Sequence, residues 1–240
     1  MGSTASIIIE QQQLRRRGRL GCYLGLVAGI AALVPLFHYV IGPLFETGFG
    51  MADTRPVPGD AAHFEPFVAL PDIFEYAGAG AELVSIDLRY VRSDGTMDLT
   101  AESYQPRAEF VFVRPAAPPA DAPPIGAGGS TTGQWYERVT IEAYLPGQWR
   151  HVTSISGGMS TEYSYMNQGM ERDIDSPTST KPTVIARPEC SLAAMWEAAK
   201  KQDAPQDAVA IITYNAQGYD FRISAVSISL HFDTDCRLRN

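Results

Sequence analysis

The stretch that decides how this chain is organised is Leu20–Phe45, LGCYLGLVAGIAALVPLFHYVIGPLF, which contains no Asp, Glu, Lys or Arg. About 20 apolar residues in a helix span the hydrocarbon core of a bilayer, so the run is long enough to cross with some tilt. Four arginines stand directly before the run, and Glu46 follows it. Because positive charge stays on the cytoplasmic side, we predict a single-pass protein of the bacterial inner membrane, with a cytoplasmic N-terminus and an extracytoplasmic bulk. A cleaved signal peptide is the alternative, but its apolar region is normally about 7–15 residues long.

Small and polar residues inside the apolar run indicate how it packs. Gly21, Gly25 and Gly29 recur every four residues and form a stripe that lets a second helix approach closely. Pro35 removes one backbone donor and is expected to kink the helix. His38 is ionisable, which favours either a partner-helix contact or a position in the interfacial belt near the outer end. We therefore expect contacts with the lipid bilayer and with other membrane-protein subunits.

The charge of the chain restricts its possible partners. Of the 19 Lys and Arg, four precede the apolar run, whereas only Glu10 of the 27 Asp and Glu does, so the remainder carries a net charge near −11. Nucleic acids and anionic headgroups are also negative, and the outer region is therefore not expected to bind them.

The sequence predicts an α+β fold in five regions. Residues 1–19 form a basic cytoplasmic tail, residues 20–45 the transmembrane helix, and residues 46–70 an extended linker rich in Pro, Gly and Ala. Residues 71–189 hold a first helix-strand-strand-strand repeat with a Pro/Gly-rich insertion and an extra hairpin. Residues 190–240 hold a second repeat, closed by a disulfide. The strands of this extracytoplasmic region are expected to be mainly antiparallel.

The second repeat has the clearer pattern. Ser191–Gln202 has helical spacing, Ala208–Tyr214 is typical of a strand, and Asn215–Gly218 is typical of a hairpin turn. Tyr219–Ser224 and Val226–Phe232 then alternate apolar and polar residues as strands do.

The first repeat is predicted to follow the same order, with a short helix or turn at Pro71–Ala77 and strands at Glu82–Val91, Thr96–Glu102 and Glu109–Val113. The matched landmarks are Tyr90 with Tyr214, Gly95 with Gly218, Asp98 with Asp220, and Phe110 and Phe112 with Leu230 and Phe232.

Between the repeats the pattern is less regular. Residues 115–133 have too little apolar mass to fold. Trp135–Ala143 and Trp149–Ile155 predict a hairpin around Leu145–Gln148, and residues 157–189 are predicted to be turn-rich and irregular.

Two groups of residues are candidate sites. Cys190 precedes the second predicted helix and Cys236 follows the last predicted strand, so in an oxidising compartment we expect a disulfide between them; a reactive thiol or a metal ligand is the alternative. A second group combines residue types enriched at interface cores, and it serves either as a contact surface or as a strap over its own sheet. It consists of Met159, Tyr163, Tyr165, Met166 and Met170.

No catalytic or cofactor-binding signature is present. The four histidines have no metal-ligand spacing, and the glycine-rich segment at 125–133 lacks the lysine of a phosphate-binding loop. We therefore predict no catalytic residue, no metal and no cofactor.

The second repeat resembles a segment of uncharacterised bacterial envelope proteins. The resemblance is carried by Trp196 and Ala199, by the motif Ala204-Pro205-x-x-Ala208-Val209-Ala210, and by Tyr214, Gly218-Tyr219-x-Phe221 and Phe232-x-x-x-Cys236. The helix-plus-three-strand unit is also similar to PepSY-type modules, and this likeness implies an extracytoplasmic inhibitory or scaffolding domain.

Together these observations favour a membrane-anchored interaction or accessory protein, a peripheral subunit of a larger membrane complex. An anchored binding domain for a small ligand or envelope polymer, which would use Trp135, Trp149 and the tyrosines, is the alternative. An envelope enzyme is the third hypothesis.

Overall fold

The computed structural model of the protein describes residues 53–120, 133–156 and 159–239. The predicted cytoplasmic tail, the transmembrane helix with Gly21, Gly25, Gly29, Pro35 and His38, and most of the Pro/Gly-rich insertion lie outside these residues. Within the described residues, no helix has the length and apolar character needed to cross a bilayer.

The described chain forms mostly antiparallel β-sheet with two short α-helices. The strands, in chain order, are β1 Asp53–Pro56, β2 Glu82–Val91, β3 Arg107–Ala116, β4 Trp135–Ala143, β5 Trp149–Ser156, β6 Met159–Met166, β7 Gly169–Ile174, β8 Ala210–Asn215, β9 Gly218–Ile223, β10 Ile228–Phe232 and β11 Leu238–Arg239. The helices are α1 Leu70–Ala77 and α2 Leu192–Lys200.

Nine of the strands form one sheet, in the order β1-β7-β4-β3-β2-β8-β9-β10-β11. Every neighbouring pair is antiparallel. β5 and β6 form a separate two-stranded sheet. The large sheet is therefore continuous, and its strands come from the beginning, the middle and the end of the described chain.

Both helices cover the same face of the nine-stranded sheet. The ring of Phe74 in α1 packs edge-on against Phe112 of β3, with centroids 4.9 Å apart. Trp196 of α2 packs edge-on against Phe221 of β9 at 5.3 Å. Phe112 and Phe221 lie on one face by strand register, and the residues that alternate with them point to the other face. The hydrophobic core is the layer between this face and the helices.

The helices form where their sequences supply caps and an apolar stripe. The Ser191 hydroxyl accepts a hydrogen bond from the Ala194 N–H, which satisfies one of the free donors at the start of α2. Leu192, Met195 and Trp196 then follow at helical spacing and are buried. The predicted helices at Ser191–Gln202 and Pro71–Ala77 therefore match α2 and α1 to within a few residues.

The predicted α+β fold with two helix-strand-strand-strand repeats is wrong. Strands assigned to both repeats belong to a single sheet, because β2 pairs directly with β8 through Asp87↔Thr213 and Leu88↔Ile212. Thr96–Glu102 is not a strand: Met97 forms one isolated bridge with Phe64 inside a loop.

The landmarks that matched the two repeats occupy different settings in the structure. Gly218 begins β9 in the tight β8–β9 turn, whereas Gly95 lies in a longer loop after β2. Asp220 lies within β9, whereas Asp98 lies in that same loop. The structure thus gives no support to an internal repeat.

The middle of the chain also differs from its prediction. β4 pairs with β3 and β7 and not with β5, so the predicted hairpin around Leu145–Gln148 is wrong. The segment 157–189, predicted to be irregular, contains β6 and β7.

Candidate interaction surface

The β5–β6 hairpin, named the arm from here on, extends beyond the large sheet. β4 and β7 are paired neighbours, and the chain between them runs out through β5 and returns through β6. The arm strands pair from Trp149↔Met166 to Ser156↔Met159 without a register shift. Neither arm strand is hydrogen-bonded to another described strand. The arm therefore continues the β4–β7 pair as a two-stranded projection.

Asn167 holds the junction between the arm and the sheet. It is the one polar residue that is fully buried among the described residues, with 1 % exposure. Its side-chain amide donates to the Leu145 carbonyl at 2.8 Å, and its Oδ1 accepts from the Gly169 N–H at 2.7 Å. Its backbone carbonyl accepts from Gly147 N–H at 2.7 Å, and its N–H donates to the Gln148 carbonyl at 2.9 Å. Three of these bonds join residues 145–148 to Asn167, and the fourth, from the Gly169 N–H, fixes the turn that leads into β7.

The face of the sheet opposite the two helices is called the open face from here on. On this face, a charged and aromatic cluster fixes the base of the arm. The Tyr144 hydroxyl donates a hydrogen bond to the Glu171 carboxylate. The Arg150 guanidinium lies 4.7 Å from the centre of the Tyr144 ring and 3.8 Å from the Glu171 carboxylate. Burial raises the pKa of the Tyr144 hydroxyl, and burial together with Glu171 raises the pKa of Tyr165 to about 12. Both tyrosines are therefore neutral hydrogen-bonding groups at physiological pH.

Trp149 and Met166 point away from this cluster. Arg150 and Tyr165 are opposite each other in the arm and face the cluster, so their neighbours Trp149 and Met166 face the other side. Trp149 is 62 % exposed and Met166 is 52 % exposed. They continue the apolar face of the sheet past buried Met170, at a place where no described helix covers it. This pair is an exposed apolar surface of two side chains.

The open face of the sheet carries a row of directly opposed carboxylates. Neighbouring strands place them side by side, which is destabilising unless cations intervene. Arg107 supplies part of that compensation through ion pairs with Glu109 and Glu142, the latter at 2.7 Å. Burial still raises the pKa of Glu142. The row consists of Glu171, Glu142, Glu109 and Asp87.

This row is not arranged as a metal centre. Among the residues that the structure describes, no three His, Cys, Asp or Glu side chains are placed to hold a metal ion. The row is a polar sheet face with its own arginine partners.

Three comparisons of the chain with known proteins found no match. No protein-family model matches the sequence. No curated protein is detectably similar to it, and no solved structure matches its fold.

The predicted cysteine pair comes together in the structure. Cys190 lies just before α2 and Cys236 lies after β10, with Cα atoms 5.3 Å apart and the sulfur atoms bonded. The disulfide closes a loop of the chain that contains α2, β8, β9 and β10, and it links the start of α2 to the end of the sheet near β10.

The predicted Tyr/Met cluster divides between three environments. Met166 is exposed on the arm, Tyr165 is 8 % exposed at its base, and Met170 is buried in the core at 3 %. Met159 and Tyr163 lie on β6, and their side chains are outside the described set. Met170 is therefore a core residue and does not support the prediction of a contact surface.

The aromatic residues suggested for ligand binding do not share one groove. Trp135 begins β4 opposite Ala116, whereas Trp149 begins β5 beyond the other end of β4. A separate shallow groove of about 430 Å³ is lined by Tyr90, Pro205, Ala208, Val209 and Ile211. This groove is mainly apolar and contains neither tryptophan.

Asn167, Tyr144 and Glu171 are site residues that the sequence did not reveal. Their roles depend on the approach of segments that meet only when β4 and β7 pair. The alternation in MSTEYSYM, residues 159–166, is the one signal that predicts β6, and it is weak because both of its faces contain hydroxyl residues.

Proposed function

We propose that this chain is an exported interaction protein of the bacterial envelope, an accessory subunit that contacts a partner protein through its arm. The observation that carries this proposal is the projection of the arm with Trp149 and Met166 largely exposed. An isolated two-stranded hairpin is marginally stable in water, and it normally needs a further strand or a packed apolar face. A partner protein would supply that missing surface.

The composition of the exposed pair supports a protein partner. Trp and Met are enriched at interface cores, and Trp is among the residues that dominate binding energy. Trp149 and Met166 are directly opposed, so they form a single two-residue anchor. The Asn167 junction and the Tyr144–Glu171 contact hold this anchor in one orientation before any partner arrives. Such preorganisation reduces the entropy lost on binding.

We also propose that residues after Phe45 lie outside the cytoplasmic membrane, with the apolar segment 20–45 as the attachment. The four arginines before this segment and the bonded Cys190–Cys236 pair support that location, because structural disulfides persist in oxidising compartments. In intact cells, a membrane-permeant maleimide should label Cys190 and Cys236 only after reduction. Labelling without reductant would contradict an oxidising location.

Site-specific photo-crosslinking tests the role of the arm. A benzophenone amino acid replaces Trp149 in the full chain, and the cells are irradiated intact. We expect a discrete adduct whose protein component is the same in every replicate. The matched control places the same amino acid at Val68, which is 69 % exposed but lies between β1 and α1, outside the arm. An adduct of equal yield at both positions, or none at position 149, would refute the proposal.

Substitution of the anchor gives an independent test. Met166→Ser should reduce the yield of the adduct at position 149 severalfold, because the opposed residue forms half of the anchor. Val68→Ser should leave that yield unchanged. Both substitutions remove an exposed side chain, so the free energy of unfolding should change by no more than about 0.5 kcal/mol.

A further inference from the structure

The shallow groove beside Tyr90, named the Tyr90 groove from here on, is a second candidate site and is separate from the arm. Val209 and Ile211 form its floor, and Ala225 forms the wall that follows β9. Ile211 lies on the open face, because the residues that alternate with it in β8 are buried on the helix side. The groove volume of about 430 Å³ falls in the range of small-molecule sites. In the sheet, β3 lies between the strands of this groove and the β4–β7 pair that carries the arm.

The backbone at Tyr90 is held in a conformation that tyrosine seldom adopts. Its φ is +69°, in the left-handed region where a bulky side chain is an outlier. Tyr90 is the extra residue of a bulge in β2, since its two neighbours in sequence pair with consecutive residues of β8. The ring of Tyr104 packs against the Tyr90 ring with centroids 5.0 Å apart. Bulges redirect side chains, and strained residues of this kind cluster at ligand sites.

The two loops at the end of the Tyr90 groove are tied to each other. The Ser93 hydroxyl, in the loop after β2, donates a hydrogen bond to the Gln206 carbonyl at 2.8 Å. The Ala208 N–H donates to the Pro205 carbonyl at 3.2 Å and closes the turn before β8. The groove is therefore formed before a ligand binds, as most small-molecule sites are.

Two arginines flank the floor of the Tyr90 groove. Arg89 of β2 and Arg222 of β9 are the cross-strand neighbours of Ile211, one on each side, so all three side chains share the open face. Arg89 has a carboxylate partner on its own strand. No described residue forms a hydrogen bond or an ion pair with the exposed Arg222 side chain. Asp220, two residues earlier on the same face of β9, is hydrogen-bonded to His231 instead.

We infer that the Tyr90 groove binds a small amphiphile that has one carboxylate and an apolar body. The carboxylate lies on Arg222, because a guanidinium presents two parallel donors that match the two oxygens of a carboxylate. The apolar body lies over Ile211 and against the Tyr90 ring, away from water. Asp207 lines the groove four residues before Ile211, so a second anionic group at that end would be repelled. The ligand is therefore a monocarboxylate.

Titration with a fluorinated monocarboxylate tests this site. The probe is 3-(4-fluorophenyl)propanoate, followed by its fluorine NMR signal with the full chain in lipid nanodiscs, and empty nanodiscs are the blank. We expect saturable binding with a dissociation constant of about 0.1–1 mM, which the small size of the probe allows. The matched alcohol, 3-(4-fluorophenyl)propanol, should bind about fivefold more weakly, because it lacks the charge. No saturable binding of the acid up to about 10 mM, or equal affinity of acid and alcohol, would overturn the inference.

Substitution of Arg222 separates a direct contact from general electrostatics. Arg222→Gln should weaken binding of the acid about fivefold and leave binding of the alcohol unchanged, because only the carboxylate contacts the guanidinium. Arg237→Gln is the matched control, since it removes another exposed arginine that does not line the groove. It should leave the affinity for both probes unchanged. Equal effects of the two substitutions on the acid would contradict a contact with Arg222.

Filling the groove tests its location. Ala225→Trp places a large ring at the exposed wall and should abolish binding of both probes. Ala194→Trp, at an exposed position of α2, is the matched control and should leave both affinities unchanged. Persistent binding in Ala225→Trp would overturn the assignment to this groove. None of these residues belongs to the arm, so the adduct at position 149 should form equally in all four variants. A failure of this site is thereby distinguished from a failure of the arm.

Discussion

Replacing Asn167 with alanine should destabilise the protein far more than the loss of one small side chain suggests. Alanine leaves two backbone groups without partners, the N–H of Gly169 and the carbonyl of Leu145, which now bond to the amide at 2.7 and 2.8 Å. The residue is 1 % exposed, so water does not replace these bonds without opening the junction. Each unsatisfied buried group costs about 1–3 kcal/mol, and we expect a total loss of about 2–4 kcal/mol in the free energy of unfolding.

The assay is urea unfolding of the full chain in detergent, followed by tryptophan fluorescence. The matched control is Asn215→Ala in the β8–β9 turn, where the side chain also accepts a backbone N–H bond, from Gln217 at 2.8 Å, but in an exposed position. Water can replace that bond, so the control should lose less than about 1 kcal/mol. A loss for Asn167→Ala that equals the loss for Asn215→Ala would refute the argument that Asn167 locks the arm junction.

Three further perturbations test the fold and its charges. Replacing Cys190 and Cys236 with serine should lower the free energy of unfolding by about 4 kcal/mol, because a cross-link over 46 residues restricts the unfolded chain. Burial raises the pKa of Glu142 above its ordinary value, so its contribution to stability is complete below pH 4.5 and is lost as pH rises through the folded pKa. Glu142→Gln should therefore raise the urea midpoint at pH 7.5 and leave it unchanged at pH 4. Gly218→Ala should cost more than Gly147→Ala: both glycines have a positive φ, but a Cβ at Gly218 would lie 2.2 Å from the Phe232 carbonyl oxygen, whereas that of Gly147 meets open space.

The carboxylate prediction has a control of opposite sign. Lys200 holds the pKa of Glu197 below its ordinary value through a side-chain hydrogen bond. Its small contribution is present above the unfolded pKa and is lost as pH falls. Glu197→Gln should therefore lower the urea midpoint slightly at pH 7.5, and the same direction of change for both variants would contradict the sign assigned to Glu142.

The local elements were predictable because their signals lie within a few residues. Ser191 caps α2, where the sequence favours a cap at either Cys190 or Ser191. Asn215 and Gly218 delimit a two-residue turn between strands, as the hairpin pattern predicts. The Cys190–Cys236 pairing was predictable because only two cysteines remain after the apolar run.

The topology was not predictable from these signals. The pairing of β2 with β8 places Asp87 opposite Thr213, which is far away in the sequence. A local sequence pattern does not specify which strands become neighbours in a sheet. This one pairing merges two expected units into a single sheet. A different non-local pairing extends the row of carboxylates, because Glu142 and Glu171 become neighbours only when β4 meets β7.

Thr96–Glu102 failed as a strand for a different reason. Met97 and Leu99 alternate with polar residues and are both fully buried, which is the pattern of a half-buried strand. In the structure these two side chains enter the core from a loop, where Met97 pairs with Phe64 instead of a neighbouring strand. The alternation of apolar and polar residues therefore identified the correct core residues, Met97 and Leu99, but it predicted a strand where the structure has a loop.

Hydrogen exchange of the β6 amides, residues 159–166, tests the central claim most directly. The claim is that the arm is a contact element, covered by protein in the assembled state and uncovered when the chain is alone. In native membranes these amides should exchange at least tenfold more slowly than in the purified full chain diluted in detergent, while the amides of β9 should exchange equally in both. Equal exchange of β6 in the two preparations would contradict the claim.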